Sequence, residues 1–330
     1  MLILAKATLA LMIGFLLSAF FGLIVIPQLK KIKAKQNISI FLKREHGSKQ
    51  GVPTIGGIIF IIPTVLAIII LLLMGKIEYH TNLMIVLVTF LLYGLLGFLD
   101  DFISIKRGNN IGLSELQKLI GQILIALVFF WLFKKAGNPT NLDITFLNIN
   151  IPLGPVYPLF VLFILVATTN AVNITDGLDG LAGGLSAIAF IAYGLISWGA
   201  IGIAGYESIA VFCFVLVGSL IGFLLYNSHP AKVIMGDTGS LALGGALAAV
   251  AIVTRHEISL VIIAGVFVIE TLSAIIQRFV GRYWGKRVFL MAPLHHHFEK
   301  MGWQEQDIVK LFLAVGLVFA MTAIIYGVWI

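Results

Sequence analysis

The feature that most restricts this chain is a succession of unbroken apolar runs, each close to the length needed to cross a lipid bilayer. A hydrocarbon layer of roughly 30 Å takes about 20 residues of helix. Inside it every backbone N–H and C=O must be satisfied within the helix or around a closed barrel. Barrel strands would read as short segments of alternating polarity, whereas these runs are long and uniformly apolar. With 60% of its residues hydrophobic and 11% charged, the chain is no soluble domain. It reads as an all-α integral membrane protein, one polytopic transmembrane domain over residues 1–330. Ten spans are expected, at roughly 3–27, 54–74, 82–99, 117–133, 157–174, 181–198, 205–225, 240–254, 258–280 and 307–330. The first run lacks a basic leader and is long enough to span, so it reads as a span and not as a cleaved signal. The single cysteine, Cys213, lies in an apolar run and reads as packing.

Ten spans divide the connections between two sides. Loops 28–53, 100–116, 175–180, 226–239 and 281–306 fall on one side. The other side keeps Lys6, Lys76, Lys134, Lys135 and Arg255, which leaves 17 of the 22 basic residues with the first set. The positive-inside rule makes that set cytoplasmic and puts both termini outside. Loop topology therefore accounts for the net charge of +7 without invoking nucleic acid. In the longest outward loop, 134–156, polarity alternates around Asn148 to Ile151, as in a short β-hairpin.

Sorted by side, the acids converge. Asp100, Asp101, Asp176, Asp179 and Asp237 all fall at the cytoplasmic ends of spans or in the loops that follow, and so do His295, His296 and His297. Asp176, Asp179 and Asp237 each precede a span and can be read as helix caps. Asp100 and Asp101 cannot: they close the third span, where the helix dipole is already negative and neighbouring carboxylates repel. A cation must offset them. Mg²⁺, which takes carboxylate oxygens together with substrate phosphates, is one candidate, and a neighbouring Lys or Arg is the other.

Other polar residues extend this face. Asn170, Asn173, Asp176 and Asp179 recur every three residues, a spacing that would make a polar stripe if the helix continued. Asn227 supplies another amide. "LSELQKL" reads as a capping box from Ser114 to Gln117 opening the fourth span; it holds Lys118 at the interface, to snorkel or to meet phosphate. Gly177, Gly180, Gly236 and Gly239 permit tight turns, while Gly244 and Gly245 suit helix packing. Three successive histidines diverge in direction and lack further ligands at zinc spacing, so phosphate hydrogen bonding is the better reading. Glu270, in mid-span, must pair inside the bundle or help kink a helix.

Five motifs together resemble the polyprenyl-phosphate N-acetylhexosamine-1-phosphate transferases: "GVPTIGG" at 51–57, "DD" at 100–101, "NAVNITDGLDG" at 170–180, "MGDTGS" at 235–240 and "PLHHHFE" at 293–299. Where some members carry an aromatic, this chain has Ile234. The first motif and the triple histidine point to the branch that acts on UDP-N-acetylmuramoyl-pentapeptide. The resemblance implies transfer of the phospho-sugar to undecaprenyl phosphate, giving lipid I and UMP, with Mg²⁺ as cofactor, in the bacterial inner membrane with the site facing the cytoplasm. It implies catalytic roles for Asp100, Asp101 and Asp237, with Asp237 on the metal. Asp176, Gly177, Leu178 and Asp179 would line a uridine pocket, with Asn170, Asn173 and Asn227 nearby. Lys49, Thr54 and Lys118 would meet phosphates or sugar, and His295 to His297 the diphosphate-linked sugar. A homodimer, contact with membrane lipids and recognition by nucleoside antibiotics are implied as well. The same chemistry on another UDP-sugar and a cation-coupled transporter are the rival readings; the transporter would place its charges near the midplane, where only Glu270 lies.

Overall fold

The computed structural model describes residues 3–31, 51–108, 112–144, 149–199 and 205–328. Among them α1 (Ile3–Lys31), α2 (Ile58–Leu73), α3 (Thr81–Arg107), α4 (Glu115–Lys135), α5 (Tyr157–Thr175), α6 (Leu181–Gly199), α7 (Tyr206–Asn227) and α8 (Gly236–Val253) are followed by α9 (Glu257–Ile263), α10 (Gly265–Trp284), α11 (Leu294–Lys300) and α12 (Glu305–Val328). Strands β1 (Asn141–Ile144) and β2 (Ile149–Pro152) pair antiparallel, Asn141 opposite Pro152 and Ile144 opposite Ile149.

Eight of these helices, α1, α3 to α8 and α12, are long and apolar enough to cross a membrane. Two of the ten expected spans differ. The second is α2, only 16 residues with Pro63 inside, or about 24 Å. The ninth, expected as one rod over 258–280, is broken: α9 and α10 meet at 78°. Gly265 stands at the bend, where a Cβ would lie 2.7 Å from Cδ2 of Phe319 in α12. Glycine there both lets α12 in and weakens the helix at that point.

At the centre stands α8, every residue of which from Thr238 to Val253 is buried. Its small residues explain how. A Cβ on Gly244 would lie 2.5 Å from Cα of Thr169 in α5, and one on Gly245 would lie 2.3 Å from the Tyr93 ring in α3. Where lipid offers no hydrophobic gain between helices, close approach of this kind supplies the packing. The outer helices keep lipid-facing apolar residues exposed, such as Leu16 and Phe20 of α1, Leu124 and Trp131 of α4 and Ile276 and Phe279 of α10. Cys213 is buried in α7.

The two ends of the bundle carry different groups. At one end Ser208 donates to the Glu78 carbonyl at 3.1 Å, Lys6 pairs with Glu207, and Arg255 donates to Asp143 and to the Asn141 carbonyl at 2.5 and 2.9 Å. That end holds the start of α1, the β-ribbon and the α8–α9 connection. Asp100, Asp101 and Asp237 gather at the other.

Candidate active site

The site is built on the N-terminus of α8. Gly236, at φ +71°, makes the turn into that helix, and a Cβ there would lie 2.5 Å from Oδ2 of Asp101 and 2.6 Å from Oγ1 of Thr54. The segment before α2 holds the turn from the other side. The Ile234 amide donates to the Pro53 carbonyl at 2.8 Å, Gly56 N to Ile234 O at 2.9 Å, and Gly57 N to Met235 O at 2.9 Å. "GVPTIGG" is thus a backbone partner to "MGDTGS".

Asp101 is the cap of α8, supplied by a neighbouring helix. Its Oδ2 accepts from Thr238 N at 2.9 Å and Thr238 Oγ1 at 2.6 Å, and its Oδ1 accepts from Asp237 N at 3.2 Å. α3 runs on to Arg107, so Asp100 and Asp101 lie inside the helix and do not close it as expected; Asp101 there meets the positive end of α8, which offsets a buried carboxylate without a Lys or Arg. α3 comes this close because Gly97 has no side chain: a Cβ there would lie 2.0 Å from the Asp237 carbonyl oxygen.

Asp100 and Asp237 are offset differently. Lys118, placed by the Ser114–Gln117 capping box, turns inward. Its ammonium pairs with Oδ2 of Asp237 and stands 3.4 Å from Oδ1 of Asp100, so it does not snorkel. Oδ1 of Asp100 also accepts from Leu113 N at 2.8 Å. Asn173 donates to Asp237 Oδ1 at 2.8 Å and to Ser240 Oγ at 2.9 Å. One oxygen from each of Asp100, Asp101 and Asp237 lies within 4.8 Å of the others. Three carboxylates facing one ammonium leave surplus negative charge, and their hard oxygens suit a divalent cation.

Beside the aspartates opens a cavity of about 240 Å³ lined by Thr54, Ser104, Asn173, Asp176 and Ile234 among others. Lys118 also lines a neighbouring cavity of about 360 Å³ with Gln122, Asn170 and Arg278. There Asn170 donates to Gln122 Oε1 at 2.9 Å, and Asn173 borders both spaces. The expected polar stripe ends early: α5 stops at Thr175 and Asp176 is its C-cap, leaving only Asn170 and Asn173 on the helix.

The turn after α5 is tied down from three sides. Asp179, just before α6, reaches across to other segments: its Oδ2 accepts from Ala231 N at 3.0 Å, and its own amide donates to Glu305 of α12 at 2.6 Å. Asn227 bridges Gly180 N and the Val233 carbonyl at 3.1 and 3.0 Å. Leu178 is 2% exposed and belongs to the core. Leu178 and Asn227 thus brace this turn from inside. Gly177 faces the histidine segment: a Cβ there would lie 2.2 Å from Nε2 of His295.

Each histidine has its own partner. His295 is fully buried, and its Nδ1 lies 2.9 Å from Oε2 of Glu270. His296 Nδ1 lies 2.5 Å from Glu299 Oε2, and His297 Nδ1 accepts from Leu290 N at 3.1 Å. Glu270 is therefore paired inside the bundle, and the helix break sits six residues earlier at Ala264. Lys49 lies outside the described residues. Thr238, Gln122, Ser240 and Glu305 were not singled out from sequence. Only Gln122 carries a signal there, standing one helical turn beyond Lys118 on the same face.

The sequence model of glycosyl transferase family 4 matches residues 83–255, from α3 to the end of the α8 turn. A phospho-N-acetylmuramoyl-pentapeptide-transferase of Geobacillus sp. (strain WCH70) is 48% identical over 323 residues, 98% of each chain. One of Bacillus subtilis (strain 168) is 45% identical over 320 residues, 97% of each.

Proposed function

Since the chain belongs to glycosyl transferase family 4 and, within it, to the phospho-N-acetylmuramoyl-pentapeptide transferases, we propose how its residues divide the work of the first membrane step of peptidoglycan synthesis. The substrates are UDP-N-acetylmuramoyl-pentapeptide and undecaprenyl phosphate; the products are lipid I and UMP. The observation that carries the assignment of the site is the convergence of Asp100, Asp101, Asp237 and Lys118 beside a polar cavity.

Phosphoryl transfer between two anions needs alignment and charge neutralisation more than covalent chemistry. Mg²⁺, when bound, supplies positive charge to the diphosphate, and Asp237 with Asp100 are the residues to hold it. Lys118, between them, supplies a further fixed cation that follows the charge from diphosphate to leaving UMP. Asp101 serves by setting the α8 N-terminus, and with it Asp237. Asn173 fixes the Asp237 carboxylate through Oδ1. Asp176, on the cavity wall, and the turn through Asp179 receive the uridine; Thr54, His296 and His297 serve the diphosphate and sugar.

A one-step displacement fits best. Both oxygens of Asp237 are engaged, one by Lys118 and one by Asn173, which leaves it a poor nucleophile. The lipid phosphate, with a second pKa near about 6, is already largely dianionic at neutral pH. It attacks the β-phosphorus directly, and Asp100 takes any residual proton. The site faces the cytoplasm, where the nucleotide substrate is, in the bacterial inner membrane. Release of UMP by purified protein given both substrates, abolished by chelation and restored by Mg²⁺, is the expected result. Product from UDP-N-acetylglucosamine, or solute flux without UMP, would refute it.

A further inference from the structure

Glu270 is a costly residue to keep. It is 0% exposed in a helix whose neighbouring residues Leu272, Ile275 and Ile276 are exposed apolar side chains. A carboxylate at such a place persists only where it is paired. Its partners are both on one residue. Oε1 accepts from the His295 amide at 3.1 Å, and Oε2 faces His295 Nδ1 at 2.9 Å. This grip fixes both the start of α11 and the ring. With a carboxylate at Nδ1 that nitrogen carries the proton, as in the carboxylate–histidine pairs that orient metal ligands. Nε2 is then turned away from Glu270, buried and without a hydrogen-bond partner. It presses on Gly177, where a Cβ would approach it to 2.2 Å.

We propose that Glu270 is a positioning residue for nucleotide recognition: through the His295 ring it sets where the Asp176–Gly180 turn stands. This rests on the reading above, that the turn receives the uridine of the nucleotide substrate. The turn has braces elsewhere, from Asn227 and Glu305, so loss of this one shifts it without unravelling it. The clamp lies far from the transferring phosphorus in function: it governs binding of the nucleotide and leaves the chemical step to the aspartates.

Glu270→Gln keeps size and shape but can accept only one of the two His295 hydrogens, because its amide nitrogen is itself a donor. The ring must turn or change tautomer. The expected result is a rise in KM for UDP-N-acetylmuramoyl-pentapeptide of about tenfold, the low end of what loss of an orienting partner costs, with kcat and KM for the lipid phosphate within about threefold. His295→Asn places a side-chain N–H where Nδ1 was but removes the ring from Gly177, and it should raise the same KM. The double variant should be no worse than the poorer single one, since both break one linkage. Melting temperature and elution volume in detergent check that each variant is folded. If Glu270→Gln does not fold, His295→Asn carries the test alone. A folded variant with unchanged nucleotide KM, or one whose defect lies wholly in kcat, overturns the proposal. Wild type that is inactive on this substrate refutes the functional reading instead, so the two failures are distinct.

Discussion

Replacing Gly97 with alanine should disable the site from outside it. The added Cβ would stand 2.0 Å from the Asp237 carbonyl oxygen, 2.3 Å from its carbon and 2.6 Å from Thr238 N. All three atoms are backbone of α8, so no side chain can swing aside. Restoring ordinary contact needs a separation of roughly 1.4 Å between α3 and the start of α8. The three hydrogen bonds from Asp237 and Thr238 to Asp101, at 2.6 to 3.2 Å, cannot survive that shift. Overpacking together with a buried carboxylate stripped of donors costs about 2 kcal/mol or more, which for a chain of this size lowers the melting temperature by about 3 °C or more. A displacement of about 1 Å at reacting groups costs about a hundredfold in rate. Gly94, one turn earlier on α3, is the control: its Cβ would lie 3.1 Å from the mobile Cδ1 of Ile61 and no closer than 3.5 Å to anything else. UMP release and thermal unfolding in detergent are to be measured for both. A Gly97→Ala protein as active and as stable as Gly94→Ala would refute the idea that close α3–α8 approach sets the aspartates.

Four further outcomes follow from the same geometry. Asp100→Asn, Asp237→Asn and His296→Ala should each abolish UMP release while leaving a monodisperse, folded protein; wild-type-like turnover in two of the three breaks the assignment. Asp101→Asn should lose stability as well as activity, by about 2 kcal/mol, because an amide cannot accept from all three α8 donors, and differential unfolding against Asp237→Asn measures this. Incubation with the nucleotide substrate alone should leave no phospho-adduct on any aspartate by intact-mass analysis, and such an adduct on Asp237 would replace the one-step route. Cysteine at Ser104, on the cavity wall, should react with an impermeant maleimide only from the cytoplasmic side, and cysteine at Asn150, exposed in β2, only from outside. Labelling of both from one side would end the topological reading.

What could be read from the residues was whatever the membrane itself enforces. Eight spans follow from length and apolarity, because lipid leaves the backbone few alternatives. The placing of Asp100, Asp101, Asp176, Asp179 and Asp237 at one end follows from those spans. The capping box at Ser114 was visible because it is local: its residues are three apart, and both its hydrogen bonds form as expected. The bend at Ala264 was not visible, because α9 and α10 share one apolar run and only the approach of Phe319 marks the break.

The fate of the acids at the site turned on contacts that no local pattern encodes. The adjacent pair at 100 and 101 was seen to need compensation, yet the two are compensated by different means. Successive residues on a helix point about 100° apart, so Asp100 faces Lys118 of α4 while Asp101 faces the amide end of α8. Adjacent in sequence, they belong to different neighbours in space. The same holds for the histidines, where three identical residues in a row take Glu270, Glu299 and the Leu290 amide as separate partners. Residue type predicted that such groups would be paired, and the spacing of the spans predicted at which end. Which partner each one finds is decided by the approach of distant helices, and for Asp101 that approach, of α3 to α8, is set by the missing side chain at Gly97.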